Sequence, residues 1–334
     1  MDRWIEGLPK IELHCHLDGS LSRETVRLLA EESGVDLSQD DAELDRLLRA
    51  DDNCASLSEY LEKFDLPLAC LRGRKQFSLA ARALVRDAAA EHVRYLEVRF
   101  APMLSSRDGL TPRDTIEGVL EGLRLGAQET GITAAAILCG MRHFPIEPNL
   151  EVVRLAKEYL NAGVCAVDIA GDEKAYPLTN HTQMFRLARA LGVPYTIHAG
   201  ECGDPQEISA ALDLGAQRIG HGIAMRHNPA LLRRCVEKRV GIELCPVSNL
   251  QTKAVSGWQE YPFRQFLEAG AMVTVNTDNR TVSKTTITRE MTLLQEHCGA
   301  SHEELRQVCR NAAAVAFAPG EIRQSLLREI DRYV

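Results

Sequence analysis

The sequence predicts an α/β fold, an eight-stranded (β/α)8 TIM barrel, on two observations. Eight short β-rich runs are separated by amphipathic helical stretches, and ionisable residues gather at the C-terminal ends of those runs, where barrel active sites are built. The runs are residues 10–17, 93–102, 133–140, 164–170, 193–199, 218–221, 241–246 and 272–277. Alternation of strand and helix argues for a parallel sheet. No run is followed by G-x-G-x-x-G or a P-loop, which weighs against a doubly wound sheet.

The first run ends in His14-Cys-His16, and a strand's period of two puts both imidazoles on one face. A long helix-rich stretch follows before the second run; it reads as an insertion over about residues 20–90 that can roof a pocket. The fourth run passes into Asp168-Ile-Ala-Gly171-Asp172-Glu173. Met184, Leu187, Ala188 and Leu191 then recur at helical spacing, and Gly192 stops that helix. The fifth run ends in His198-Ala-Gly-Glu201, after which Asp204-Pro205-x-Glu207 offers an N-cap, a first-turn proline and a capping-box acid. The sixth ends in Ile-Gly-His221-Gly. Asn228-Pro229 and Pro262 start two more helices, and Gly270 stops the second of them. The seventh run leads into Cys-Pro-Val-Ser248-Asn, and the eighth ends in Asn-Thr-Asp278.

A chain of 334 residues fits one barrel, a fold that takes about 250 residues and tolerates insertions. A single domain over 1–334 is therefore expected. With 45% hydrophobic and 26% charged residues the composition is that of a globular protein with a sizeable core. The net charge of −8 and the lack of a long basic run exclude a nucleic-acid partner, because phosphate backbones need concentrated positive charge. The short cluster Arg72, Arg74, Lys75 reads as a solvated helix end. Ten cysteines are scattered with no C-x-x-C, so neither a disulfide framework nor a thiolate zinc knuckle is indicated. The N-terminus has no apolar signal core and no run reaches the roughly 18 apolar residues that span a bilayer. A cytoplasmic chain without a membrane partner is expected, and a monomer is the working assumption.

His14, His16, His198, His221 and Asp278 all fall at strand ends. Imidazole and carboxylate ligands suit zinc, and a catalytic zinc keeps one position open. Two-metal barrel hydrolases often bridge their metals with a lysine at the end of strand four, but Lys174 lies further into the loop, so one metal is expected.

Taken together, Leu-Pro-Lys-Ile-Glu-Leu-His14-Cys-His16-Leu-Asp18-Gly19, Val-Asp168-Ile-Ala-Gly171-Asp-Glu, Ile-His198-Ala-Gly-Glu201, Ile-Gly-His221-Gly, Glu-Leu-Cys-Pro-Val-Ser248-Asn and Asn-Thr-Asp278 resemble the adenosine deaminase branch of the amidohydrolases. The resemblance runs in order from about residue 5 to about residue 330. It implies hydrolytic deamination of adenosine and 2'-deoxyadenosine, with a zinc-activated water attacking purine C6. It further implies that His14, His16, His198 and Asp278 hold one Zn2+ per chain, that His221 and Asp278 orient and deprotonate the water, and that Glu201 donates a proton to purine N1. For that donation Glu201 must be protonated with substrate bound, so a raised pKa is expected.

By the same resemblance the partner is a small purine nucleoside. Gly171 would let its backbone N–H approach purine N3, His16 would face the substrate, and Asp18 would accept from a ribose hydroxyl; Gly and Asp are also ordinary turn residues. Leu57, Tyr60, Leu61 and Phe64 fit either an apolar wall over the substrate or a core stripe. Arg99 and Ser248 read as structural hydrogen-bonding residues. The chain departs from the family at Asn279, where a second Asp is common; an Asn amide still donates to purine N7.

The nearest alternative is a deaminase of another 6-aminopurine: adenine, 6-aminodeoxyfutalosine or an N6-substituted adenine compound. A phosphate-bearing substrate would want cations at the ends of strands seven and eight, where Arg280 and Lys284 are the candidates. A hydrolase of lactones, amides or phosphoesters and a non-catalytic binding protein are more distant readings, because barrels host many chemistries.

Overall fold

The computed structural model describes residues 2–51, 54, 57–106 and 109–334. Eight strands alternate with helices: β1 Lys10–His16, β2 Val93–Phe100, β3 Thr133–Met141, β4 Val164–Ala170, β5 Thr196–Ala199, β6 Arg218–His221, β7 Gly241–Leu244 and β8 Met272–Val275. They form two parallel ladders, β1-β2-β3-β4 and β5-β6-β7-β8. Single parallel bridges, Val167 to Tyr195 and Cys15 to Asp278, close the barrel between them. The second seam carries two backbone hydrogen bonds, His16 N to Asp278 O at 2.7 Å and Asp278 N to His14 O at 2.9 Å. Three of the expected metal ligands thus sit on the seam itself.

Five strands, β1, β2, β5, β7 and β8, are shorter than their runs, and proline explains the trimming of β5 and β7. Pro194 has no N–H for a ladder, so β5 starts at Thr196, and Pro246 opens the helix Pro246–Gln251, which ends β7 early. Helix punctuation otherwise follows the sequence. The Asp204 carboxylate accepts from Gln206 N at 2.8 Å to open Pro205–Leu214, and Gly192 ends Thr182–Leu191 in the left-handed region at φ 67°. Glu207 departs from its capping-box expectation. It turns inward and accepts from Leu178 N at 2.9 Å and Arg142 Nη1 at 3.0 Å, since a buried guanidinium has more need of a carboxylate than a solvated helix end does.

Between β1 and β2 lie the helices Arg23–Ser33, Asp41–Leu48, Leu57–Leu61, Asp65–Cys70 and Arg74–Ala90, with one 3-10 turn at Glu62–Phe64. Arg74–Ala90 packs on Pro112–Thr130 through Gly118, Gly122 and Gly126. A Cβ on Gly122 would run into the Ser78 carbonyl, and one on Gly126 would lie 2.6 Å from Val85 Cβ. Glycine here permits backbone contact between two crossover helices. Among the described residues no helix is long and apolar enough to cross a membrane.

Candidate active site

The mouth of the barrel gathers the residues that the strand ends singled out. Ligand atoms of His14, His198, His221 and Asp278 all lie within 4.8 Å of one another. His16 closes on the same point from one side, its Nε2 3.3 Å from His198 Nε2 and 3.4 Å from Asp278 Oδ1. His14 Nε2 lies 3.3 Å from Asp278 Oδ1 and is buried with no hydrogen-bond partner. An orphaned imidazole nitrogen facing a carboxylate and a second imidazole is what a cation site requires.

Backbone strain helps to aim two of these groups. His221 and Asp278 are non-glycine residues in the left-handed region, at φ 63° and 58°, a conformation that costs about 1–3 kcal/mol each and persists only where the surroundings impose it. The β1 seam imposes it on Asp278. Beside His221, Gly220 leaves room for the other imidazoles, since a Cβ there would lie 3.2 Å from His14 Cε1.

Behind the histidines stands a buried ionic layer that the sequence reading did not anticipate. His14 Nδ1 lies 2.8 Å from Glu243 Oε2, and His198 Nδ1 lies 2.7 Å from Asp168 Oδ2. Arg99 joins the two carboxylates, donating from Nη1 to Asp168 at 2.7 Å and from Nη2 to Glu243 at 3.0 Å. Arg218 Nε and Thr196 Oγ1 donate to the other oxygen of Glu243, at 2.6 and 2.9 Å. Burial pushes both acids toward protonation. Against it, Arg99 and Arg218 hold Glu243, and His198 and Arg99 hold Asp168, below the usual carboxylate range. The ionised Glu243 accepts from Nδ1–H of His14, and the charge of Asp168 2.7 Å from His198 Nδ1 favours a proton there too, which leaves each Nε2 with a free lone pair toward the cluster. A lone Glu in the apolar strand Gly241–Leu244 and a lone Arg in Val-Arg99-Phe were the available signals, because a charge in a buried strand needs a partner.

The cluster opens into a cavity of about 300 Å³ whose lining includes His16, Asp18, Gly171, Glu201, His221, Asp278 and Asn279. Leu57, Tyr60, Leu61 and Phe64 also line it, so they form its apolar wall rather than a core stripe remote from it. Glu201 Oε2 lies 3.7 Å from His221 Nε2. Burial, then the nearby carboxylates of Asp278 and Glu173, push Glu201 well above the usual range, which favours a neutral carboxyl. Burial, reinforced by His14, keeps His221 well below its ordinary value. Glu173 braces the loop that carries Glu201, accepting from the N–H of Gly200 at 2.7 Å and of Cys202 at 3.2 Å. Asp18 Oδ1 and Asn279 Oδ1 are buried without partners, and burial raises Asp18 to about 6. Gly171, at φ 107°, supplies backbone to the wall in a conformation that favours glycine.

No Lys or Arg is among the described residues lining this cavity. Arg280 and Lys284 instead line a separate surface groove. Arg280 is drawn there by an ion pair with Glu91, and its backbone N–H donates to Ser20 Oγ at 3.0 Å. The cation pair considered for a phosphate therefore does not reach the pocket.

Comparison with known proteins places the whole chain in a family. A family model described as adenosine deaminase matches residues 9–333. An adenosine deaminase of Enterococcus faecalis is 42% identical over 328 residues, covering 98% of this chain and 97% of the relative. Among solved structures, an adenine deaminase from Arthrobacter aurescens superposes with a TM-score of 0.90 at 26% identity, covering 98% of this chain and 99% of that one. An amidohydrolase from Burkholderia ambifaria, with bound Zn, gives 0.87 at 26% identity over 99% and 93%. With the family model spanning nearly its whole length and a relative above 40% identity, the chain belongs to the adenosine deaminase family.

Proposed function

We propose that the chain hydrolyses adenosine and 2'-deoxyadenosine to inosine and 2'-deoxyinosine with release of ammonia. The carrying observation is that one cavity holds the His and Asp cluster, a buried Glu201 carboxyl 3.7 Å from His221 Nε2 and the unpartnered oxygen of Asp18.

The donor set fits a single zinc. His14, His16, His198 and Asp278 would hold it, two of the imidazoles backed by carboxylates, and the structural relative with bound Zn supports that metal. Bound there, zinc would act as a Lewis acid that brings the pKa of a water from 15.7 to about 7. This chain's own residues supply the proton transfers. Glu201 gives its proton to purine N1, which withdraws electrons from C6. A water oriented by His221 adds its oxygen to C6 and yields one proton to Asp278. That proton passes to the exocyclic nitrogen, and the C6–N bond breaks to release ammonia. The remaining hydroxyl proton returns to the Glu201 carboxylate as C6=O forms, so the enzyme is restored. The Gly171 N–H faces purine N3, the Asn279 amide donates to N7, and Asp18 accepts from a ribose hydroxyl.

Two features support a nucleoside substrate. The lack of Lys or Arg among the described lining residues disfavours a 5'-phosphate, and an acceptor held ready at Asp18 favours a sugar over free adenine. Adenine remains the second reading, because the adenine deaminase shares the fold at a TM-score of 0.90. The test is Glu201→Gln, which keeps shape and removes the proton. Turnover should fall by about 10² or more, the usual contribution of a general acid, with bound metal unchanged. Near-normal turnover would remove Glu201 from the mechanism.

A further inference from the structure

Asn249 lies fully buried behind His221, and the directions of its hydrogen bonds are determinate. The Cys245 backbone N–H, which can only donate, is 3.4 Å from Asn249 Oδ1, and the Tyr261 hydroxyl donates to the same oxygen at 3.3 Å. The reversed amide would set two N–H groups against each other at Cys245. The atom 2.9 Å from His221 Nδ1 is therefore the amide nitrogen, a donor. His221 Nδ1 has to accept, so the proton of the neutral ring sits on Nε2, the nitrogen nearest Glu201. This is the reverse of His14 and His198, whose Nδ1 atoms face carboxylates. The same short helix, Pro246–Gln251, also carries Ser248, whose hydroxyl donates to Asp278 Oδ2 at 2.6 Å.

We propose that Asn249 is a positioning residue for the deamination: it locks His221 in the Nε2–H tautomer. His221 then meets the attacking water as a hydrogen-bond donor and cannot take its proton, which leaves that task to Asp278. With Nε2 protonated, His221 also offers no lone pair to a cation, although its ring sits inside the cluster. The role in catalysis rests on the deamination reading above; the tautomer does not.

The test is 15N-edited NMR of the zinc-loaded chain labelled at histidine nitrogen, with the His221 signals assigned by their loss in His221→Gln. The expected result is an Nε2–H pattern for His221 in the native chain. In Asn249→Asp the carboxylate accepts from Nδ1–H, so the pattern should invert. Turnover of adenosine by Asn249→Asp should fall by about 10²-fold, as when one oriented donor is lost, with KM changed by less than about threefold. An Nδ1–H pattern in the native chain overturns the proposal, as does an inverted tautomer with unchanged turnover. A native chain with the Nε2–H pattern but no action on adenosine would instead sink the deamination reading and leave the tautomer lock standing.

Discussion

Arg99 shows how a single side chain reaches the chemistry without touching substrate. Its guanidinium spans Asp168 and Glu243, each of which lies against one imidazole of the cluster proposed to hold zinc. Replacing it by Met keeps the volume and leaves two buried carboxylates short of a cation. Breaking a buried pair in this way costs about 3–5 kcal/mol, and loosening the groups behind metal ligands costs about 10–100-fold in metal affinity. We expect Arg99→Met to show both, read by denaturant titration and by zinc competition with a chelator; retained stability and affinity would make the bridge ornamental. The imidazoles and Asp278 were legible in the sequence because their chemistry coincides with strand ends. Their partners were not. That Glu243 faces His14 and Asn249 faces His221 follows from closure of the barrel, which brings strands β1 and β7 to face each other across its interior, information that lies more than two hundred residues apart for the first pair.

At the scale of elements, the strands were readable because period and composition mark them, and the trimmed ends of β5 and β7 trace to prolines already visible. The close packing of two crossover helices was not readable, since spaced glycines in a helix carry no address. Gly122→Ala drives a methyl into the Ser78 carbonyl, and overpacking of this kind costs about 1–3 kcal/mol. The midpoint of chemical unfolding should drop while the folded fraction keeps its turnover per zinc. The helix that carries Ser248 and Asn249 is tethered from outside: the Glu290 carboxyl accepts from Val247 N at 3.1 Å, and burial raises it from 4.5 to about 8. In that window the folded chain keeps a proton that the unfolded chain has released. Stability from this group therefore falls as pH rises between 4.5 and about 8, by about 1.4 kcal/mol per unit. Glu290→Gln abolishes the titration, so its loss of stability from pH 5 to pH 8 should be smaller than that of the native chain. Equal slopes would show that Glu290 stays ionised.

Over the whole molecule, closure of the barrel brings the site together. The seam between β8 and β1 brings Asp278 to His14 and His16, so the metal-facing cluster and the integrity of the barrel depend on the same backbone hydrogen bonds. Helices between β1 and β2 supply the apolar wall, and no Lys or Arg is among the described residues that line the cavity. Fold class and a metal site were legible from residue types at strand ends, and the purine chemistry from the family resemblance that those motifs carry. The path of Arg280 was not, because it follows Asp278 by two residues and only the structure turns it toward Glu91. Ammonia release by the metal-quantified protein from adenosine, 2'-deoxyadenosine, adenine and AMP in parallel separates the candidate substrates. A nucleoside deaminase turns over both nucleosides rapidly with about one zinc per chain and gives little ammonia from adenine or AMP. Turnover of adenine or AMP with silence on the nucleosides would overturn the proposed function.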